Sequence, residues 1–317
     1  MSREIVLAAD LGGTNLRMAA IDRAGVILYR TKRDTPRRAT RAEEITQAIV
    51  EAADECRENC AGFTIETIAV AVPATLKVEC GVIIKAPNLP SLDGFRIAAA
   101  LENELGAKAI LENDANAAAV GESWLGASKG YANSICVTLG TGVGGGVIID
   151  GKVLRGVDGT AGEIGHICVE PFGVPCGCGS RGCVEQYSSA SAIVRLAKDL
   201  ENQYPESLLK NNPHLTAYDV FQAGTSGDEL ALEVFRQTGF YLGVALAGLL
   251  NVLNPEVVVI GGGVADGWDL FVPHVEETIR QRAFPEPAAR VKILRAELGD
   301  DAGVIGMGRL AFDSADF

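Results

Sequence analysis

Ile135-Cys-Val-Thr-Leu-Gly-Thr-Gly-Val-Gly-Gly-Gly-Val-Ile-Ile149 is a buried-strand pattern broken at its centre by five glycines within seven residues. Two apolar strands flanking such a turn bring bare backbone N–H groups against a ligand, because glycine has no side chain to hold it off. The same grammar occurs near the N-terminus. Ile5 to Ala9 predicts a short strand, Asp10-Leu-Gly-Gly-Thr-Asn15 a glycine turn, Leu16 to Ile21 a second strand, Asp22-Arg-Ala-Gly25 another turn, and Val26 to Tyr29 a third strand. In the later copy the second turn is Asp150-Gly151. An internal repeat is the economical explanation, and it implies two related domains facing each other across a cleft.

Downstream of the second copy lies Gly159-Thr-Ala-Gly-Glu-Ile-Gly-His166, followed after nine residues by Cys176-Gly-Cys-Gly-Ser-Arg-Gly-Cys183-Val-Glu185. One His and three Cys, interleaved with glycines that permit tight turns, match a four-coordinate Cys3His zinc site made by His166, Cys176, Cys178 and Cys183. A disulfide framework in an exported protein is the competing reading. Charged Arg3 and Glu4 lead straight into a strand, unlike a signal peptide, so a reducing, cytoplasmic setting is expected and metal is favoured over disulfide.

Between the copies, the stretch from Thr40 or Arg41 to Asn59 predicts a helix whose apolar face includes Ile45, Ile49, Cys56 and Cys60, which makes both cysteines core residues. Strands are expected at Ile65–Val72, Lys108–Leu111 and Val291–Leu294, a loop at Ala74–Leu92, and helices at Asp93–Leu105 and Ala115–Leu125. Ser188 or Ser189 can cap a helix reaching about Asn202. Glu229–Leu253 predicts a long apolar helix stopped at Asn254-Pro255, and Glu256–Ile260 a strand apolar enough to be covered on both faces. Gly261-Gly-Gly263 follows at that strand's carboxyl end, where α/β sheets bind ligands.

The 317 residues are 48% hydrophobic and 22% charged, enough for two α/β domains with sizeable cores or for one large one. With 28 Lys and Arg against 41 Asp and Glu, the net charge is −13, a poor balance for clamping nucleic acid. The basic run Lys32, Arg33, Arg37, Arg38 and Arg41 is interrupted by Pro36 and reads as a solvated loop entering a helix. The most apolar run, Leu242–Leu253, is well short of the roughly 20 residues a membrane span needs.

Asp10 beside Gly12, Gly13, Thr14 and Asn15 sets a carboxylate next to a phosphate-sized nest of N–H groups, which requires a bridging cation such as Mg²⁺. Gly140-Thr141-Gly142 is the second such loop, and Gly261, Gly262 and Gly263 a third close approach, beside the nucleoside. Neither the P-loop spacing nor a dinucleotide fingerprint is present.

These motifs, with Glu112-Asn-Asp114 and Glu163-Ile-Gly-His166, resemble the sugar kinases of the ROK family (repressor, open reading frame, kinase), nearest its bacterial glucokinases. The resemblance implies an α/β, actin-like ATPase (ribonuclease H-like) fold, with two domains flanking an active-site cleft. It implies ATP and Mg²⁺ as partners, structural Zn²⁺, a hexose as acceptor, and a homodimer or homotetramer. It makes Asp114 the general base on the sugar hydroxyl, and Asn88, Asn113, Glu163, His166 and Glu185 the sugar contacts, with Asp114 itself also touching the sugar. The residue types suit these roles, because sugar hydroxyls both give and receive hydrogen bonds and phosphoryl transfer needs a carboxylate to take the nucleophile's proton. An N-cap on the following helix is the bland role for Asp114, and partnership with His166 the bland role for Glu163. Residues 1–115 with the C-terminal helix 302–317 are expected as a small α/β domain, and 116–301 as a large one carrying zinc. One departure stands out: Ala74 in Val70-Ala-Val-Pro-Ala-Thr75 occupies a position where the family usually has glycine. Transfer to the 6-hydroxyl of glucose is the leading expectation. The alternatives are fructose, mannose or N-acetylmannosamine as acceptor, a zinc-stabilised sugar-binding protein, or a sugar-sensing regulator, although an acidic chain whose first phosphate loop begins at Asp10 leaves a DNA module little place.

Overall fold

The computed structural model describes residues 4–315. Arg3, and the last two residues of the expected C-terminal segment, lie outside the described residues. The chain divides into two compact units, one made of residues 4–132, 146–162 and 297–315, the other of residues 133–145 and 163–296.

The first sheet contains β1 (Glu4–Leu11), β2 (Asn15–Asp22), β3 (Ile27–Asp34), β4 (Thr64–Val72) and, after a two-stranded hairpin of β5 (Thr75–Lys77) and β6 (Val82–Lys85), β7 (Lys108–Asn113). Its order is β3-β2-β1-β4-β7. The pairs β1–β2 and β2–β3 are antiparallel, while β1–β4 and β4–β7 are parallel. The second sheet repeats this order with β8 (Ser134–Leu139), β9 (Val143–Ile149), β10 (Lys152–Val153), β11 (Val257–Gly261) and β12 (Lys292–Arg295), arranged β10-β9-β8-β11-β12. The repeat read from the two glycine turns is therefore a repeat of topology. Asp150 and Gly151, at φ of 50° and 74°, turn the second copy where Asp22 to Gly25 turn the first.

In the first unit, apolar residues on both faces of the sheet are covered. One face carries Ile5, Leu7, Leu16, Ile68 and Val70 against Ile45, Ile49, Ala52 and Cys56 of the helix Ala42–Asn59 and Leu101 of the helix Ile97–Leu105. The other carries Val6, Ala8, Ala69 and Ala71 against Val304, Met307 and Ala311 of the helix Ala302–Ala315. Cys56 and Cys60 are buried and unbonded, as core residues should be. The helix Asp114–Leu125 packs so closely on Ala302–Ala315 that a Cβ on Gly306 would lie 1.8 Å from the Ala117 carbonyl oxygen, so only glycine fits there. In the second unit β11 is buried along its whole length, as its unbroken apolar run requires. The helix Glu229–Leu253 packs against Trp268–Arg282 and ends at Asn254 in the left-handed region, before Pro255.

The structure differs from the sequence reading in local places. The third strand runs on to Asp34, because its alternating burial lets polar residues face solvent on one side. The expected loop after Ala74 holds the β5–β6 hairpin, whose three- and four-residue strands are too short for periodicity to register. The helix expected from Asp93 begins only at Ile97. Ser189 is the cap of Ala190–Leu200, its hydroxyl accepting the Ala192 N–H.

A candidate phosphotransfer site and metal centre

At the carboxyl edge of the first sheet, Asp10 on β1 pairs with Ala71 on β4, and Ala71 pairs with Glu112 on β7. Two strand spacings of about 4.8 Å set Asp10 and Glu112 roughly 10 Å apart. Asp114 follows two residues later as the first residue of its helix. Asn113, not Asp114, is the N-cap, its side chain accepting from the Ala115 and Asn116 N–H groups at 2.9 and 3.2 Å. One Asp114 carboxylate oxygen accepts its neighbour Ala115 N–H at 2.9 Å.

The turn after Asp10 is stitched by its carbonyls. Gly12 N–H donates to the Asn15 carbonyl at 2.9 Å, and the Thr35 hydroxyl and N–H donate to the Gly12 and Thr14 carbonyls at 2.7 and 2.8 Å. With the carbonyls occupied, the N–H groups of Gly13 and Thr14 make no hydrogen bond to the chain among the described residues. Asn88 lies beside this turn, since a Cβ built on Gly13 would sit 3.6 Å from that of Asn88. Arg17 lies 3.9 Å from Asp10 and is more tightly engaged with Asp300 at 2.6 Å. Burial raises the Asp10 pKa to about 6, Arg17 pulling it down and Asp300 pushing it up. A buried acid with so little counter-charge fits a divalent cation.

Sequence reasoning missed the support behind Asn113 and Asp114. Glu112, 1% exposed, accepts from the Asn113 N–H at 3.0 Å, the Asn116 side-chain amide at 3.1 Å and Arg155 Nε at 2.7 Å. A charged residue within a strand is the signal that could have found it, because burial of an acid demands a partner. Asn113 Nδ2 also reaches the Ala74 carbonyl at 3.4 Å. Ala74 itself is not among the residues with positive φ, so the alanine strains nothing there.

In the second unit Gly140 N–H donates to the Gly142 carbonyl at 2.9 Å. The Gly140 and Thr141 carbonyls are held by the Ala190 N–H at 2.8 Å and the Ser191 hydroxyl at 2.9 Å, at the start of the helix Ala190–Leu200. Gly262, at φ 85°, presses on Leu139, where a Cβ would meet its carbonyl oxygen at 2.4 Å, whereas Gly263 faces open space. The second and third glycine turns thus touch and together border a cavity of about 390 Å³ with Tyr218, Phe221, Phe235 and Val264. An apolar cavity beside a backbone nest suits a nucleoside. Glu185 accepts the Val143 N–H at 3.0 Å and lies against Gly142, and Gly165 packs on the Val143 carbonyl, which draws the Glu163–His166 segment to the same turn. The exposed Glu163 side chain makes no hydrogen bond among the described residues, His166 included.

His166, Cys176, Cys178 and Cys183 converge, their ligand atoms all within 4.8 Å of one another. Cys176 Sγ is 3.7 Å from His166 Nδ1, and Cys178 Sγ 3.7 Å from Cys183 Sγ. That is far beyond a disulfide bond of about 2.05 Å and close to the edge, about 3.8 Å, of a tetrahedron of sulfurs around zinc at about 2.3 Å. Burial, then the neighbouring thiols, push the Cys183 thiol up to about 12, a crowding that a cation would relieve. The donor set, its spacing and its charge fit Zn²⁺, held through Nδ1 of His166.

A family model described as ROK family matches residues 6–314. The chain belongs to the ROK family. A glucokinase of Halalkalibacterium halodurans is 40% identical over 317 residues, 98% of this chain and 96% of that protein. The crystal structure of a ROK family glucokinase from Streptomyces griseus, in complex with glucose and AMPPNP, is 35% identical with a TM-score of 0.81, covering 98% of this chain and 99% of that one. The DNA-binding transcriptional repressor Mlc of Escherichia coli is 31% identical over 242 residues, 76% of this chain and 59% of the repressor. The fold is accordingly that of the ROK sugar kinases, the actin-like ATPase fold. Among the described residues no helix is long and apolar enough to cross a membrane.

Proposed function

We propose that this ROK protein is an ATP-dependent hexose kinase that transfers the γ-phosphate to the 6-hydroxyl of glucose, with Asp114 as general base. The observation that carries the reading is the register at the carboxyl edge of the first sheet, where Asp10 with its phosphate-sized turn and the Asn113–Asp114 pair end strands that flank β4, with Asn88 beside the turn. Gly13 and Thr14, and Thr141 and Gly142, would meet the phosphates with backbone N–H groups, and the cavity bordered by Tyr218 and Phe221 would take the base. Asp10 would hold Mg²⁺, which offsets the charge gathered on the phosphates. Asp114 accepts the hydroxyl proton; Asn113, capped onto the helix and braced by Glu112, fixes where that carboxylate stands. Asn88, Glu163, Glu185 and the His166 ring edge away from the cysteines supply donors and acceptors for the sugar. His166, Cys176, Cys178 and Cys183 would hold zinc, whose role would be to order the His166 segment and not to take part in transfer. The glucokinase relatives support glucose as acceptor.

The test is an ADP-release assay with Mg·ATP across glucose, fructose, mannose and N-acetylmannosamine, with the Asp114→Asn protein alongside. Turnover of glucose that the variant loses is the expected result. Turnover of a different sugar would move the acceptor and keep the mechanism. Sugar binding without any turnover would replace the kinase by a sensor of the Mlc type.

A further inference from the structure

A cavity of about 340 Å³ is lined by Thr14 of the first glycine turn with Asp34, Thr35, Pro36, Arg37 and Arg38. Thr35 stitches its wall to the turn through the hydroxyl and N–H bonds to Gly12 and Thr14, and Arg37 N–H donates back to the Thr35 carbonyl at 2.7 Å. The loop bearing the two arginines is therefore tied to the turn by defined bonds. Sequence reading took this basic run for a solvated loop, yet its members differ. Arg33 binds Glu51 and Glu55 at 3.0 and 2.7 Å and Arg41 binds Glu43 at 3.4 Å, whereas exposed Lys32 makes no ion pair among the described residues; outside the run, Arg30 and Arg17 bind Asp301 and Asp300 at 3.0 and 2.6 Å. Arg37 and Arg38 make no ion pair and no side-chain hydrogen bond among the described residues. In a chain carrying net −13, two adjacent exposed arginines that line one cavity and make no ion pair among the described residues suit an external anion.

We propose that Thr14, Arg37 and Arg38 form a phosphate subsite that continues the glycine turn outward and takes a phosphate group beyond those of the nucleotide, either the far end of an inorganic phosphate chain or a phosphomonoester such as a hexose phosphate. The proposal rests on reading Gly12 to Thr14 as a phosphate turn. Guanidinium planes suit phosphate because they offer paired N–H donors, and the cavity, about eleven times the roughly 30 Å³ share of one water, accommodates an anion with part of its hydration. Asp34 shares the cavity and opposes an anion, so it sets the affinity below what two arginines alone would give.

The full chain is titrated calorimetrically with inorganic phosphate, inorganic tripolyphosphate and glucose 6-phosphate, as the wild type, as Arg37→Gln/Arg38→Gln, and as Asp34→Asn. Wild-type protein should bind at least one of the three; the double arginine variant should bind it about tenfold more weakly, and Asp34→Asn more tightly. Preference for tripolyphosphate identifies a chain-end subsite, and preference for glucose 6-phosphate a monoester subsite. No binding by any probe, or binding that neither variant alters, overturns the proposal. Mg·ATP turnover, followed in parallel, separates the two readings: its absence in wild type defeats the kinase assignment, while an arginine-dependent anion affinity stands or falls by itself.

Discussion

The two glycine turns are copies in backbone and opposites in fittings. The turn at Gly12–Asn15 follows a buried acid, is clamped by Thr35, and leaves the Gly13 and Thr14 N–H groups without a hydrogen bond among the described residues. The turn at Gly140–Gly142 has no acid before it; it is held by a helix start and by Glu185, and it abuts both the segment that leads to the metal centre and the open Gly263. Duplication supplied one strand–turn–strand shape twice, and the residues around each copy then specialised it, one for charge and one for shape. If so, perturbing the first should change the chemistry and perturbing the second should change what is held.

The largest effect is expected at the second region's cluster of His166, Cys176, Cys178 and Cys183. Replacing Cys176 by Ala, or treatment with a strong chelator, should take bound zinc from about one per chain to none and abolish glucose binding, because a structural zinc site folds only with its metal. Metal analysis and calorimetry check this, and glucose binding by zinc-free protein would refute the link between the metal and the sugar segment.

Next comes Asp114→Asn, expected to lower kcat about a thousandfold with the melting temperature unchanged, since the helix keeps its Asn113 cap. A loss of stability instead would assign Asp114 to the fold and erase the contrast.

Asp10→Asn separates charge from shape. Burial holds the folded pKa at about 6, above the ordinary 3.8, so the folded state favours the protonated acid. The contribution of this group to stability is complete below about pH 3.8, declines as pH rises, and is lost above about 6, a penalty of up to about 3 kcal/mol at neutral pH. The amide should therefore raise the melting temperature at about pH 7.5, have little effect near pH 4, and remove Mg²⁺-dependent ATP binding. Unchanged stability at both pH values would show that Arg17 already neutralises the acid.

The smallest effects test the second region's shape. Gly262→Ala puts a Cβ at φ 85° and 2.4 Å from the Leu139 carbonyl oxygen, and should cost about 2–3 kcal/mol and weaken nucleotide binding. Gly263→Ala, with nothing within 4 Å, should change stability by less than about 0.5 kcal/mol. Equal effects would mean that the two turns do not depend on their close contact.

Much of this was legible beforehand. The strand repeat, the helix Glu229–Leu253 to its ends, the cysteine cluster and the buried Cys56 and Cys60 all follow from periodicity and spacing. The short hairpin Thr75–Lys85 was not, because strands of three and four residues carry too few alternations to be seen. Neither was the Glu112–Arg155 pair, whose members stand 43 positions apart.

The sequence by itself determined the α/β repeat, the position of each glycine turn and the clustered His166, Cys176, Cys178 and Cys183, since each depends on residues close enough along the chain for local sterics, periodicity or ligand spacing to specify them. Only the tertiary structure decided that Asn113 rather than Asp114 caps the helix, that Glu112 is braced by Arg155, that Thr35 clamps the first turn, and that Arg33 and Arg41 pair with carboxylates while Arg37 and Arg38 do not among the described residues. Those are questions of which group reaches which across the fold. Burial makes such pairings obligatory for polar side chains, but only packing chooses the partner.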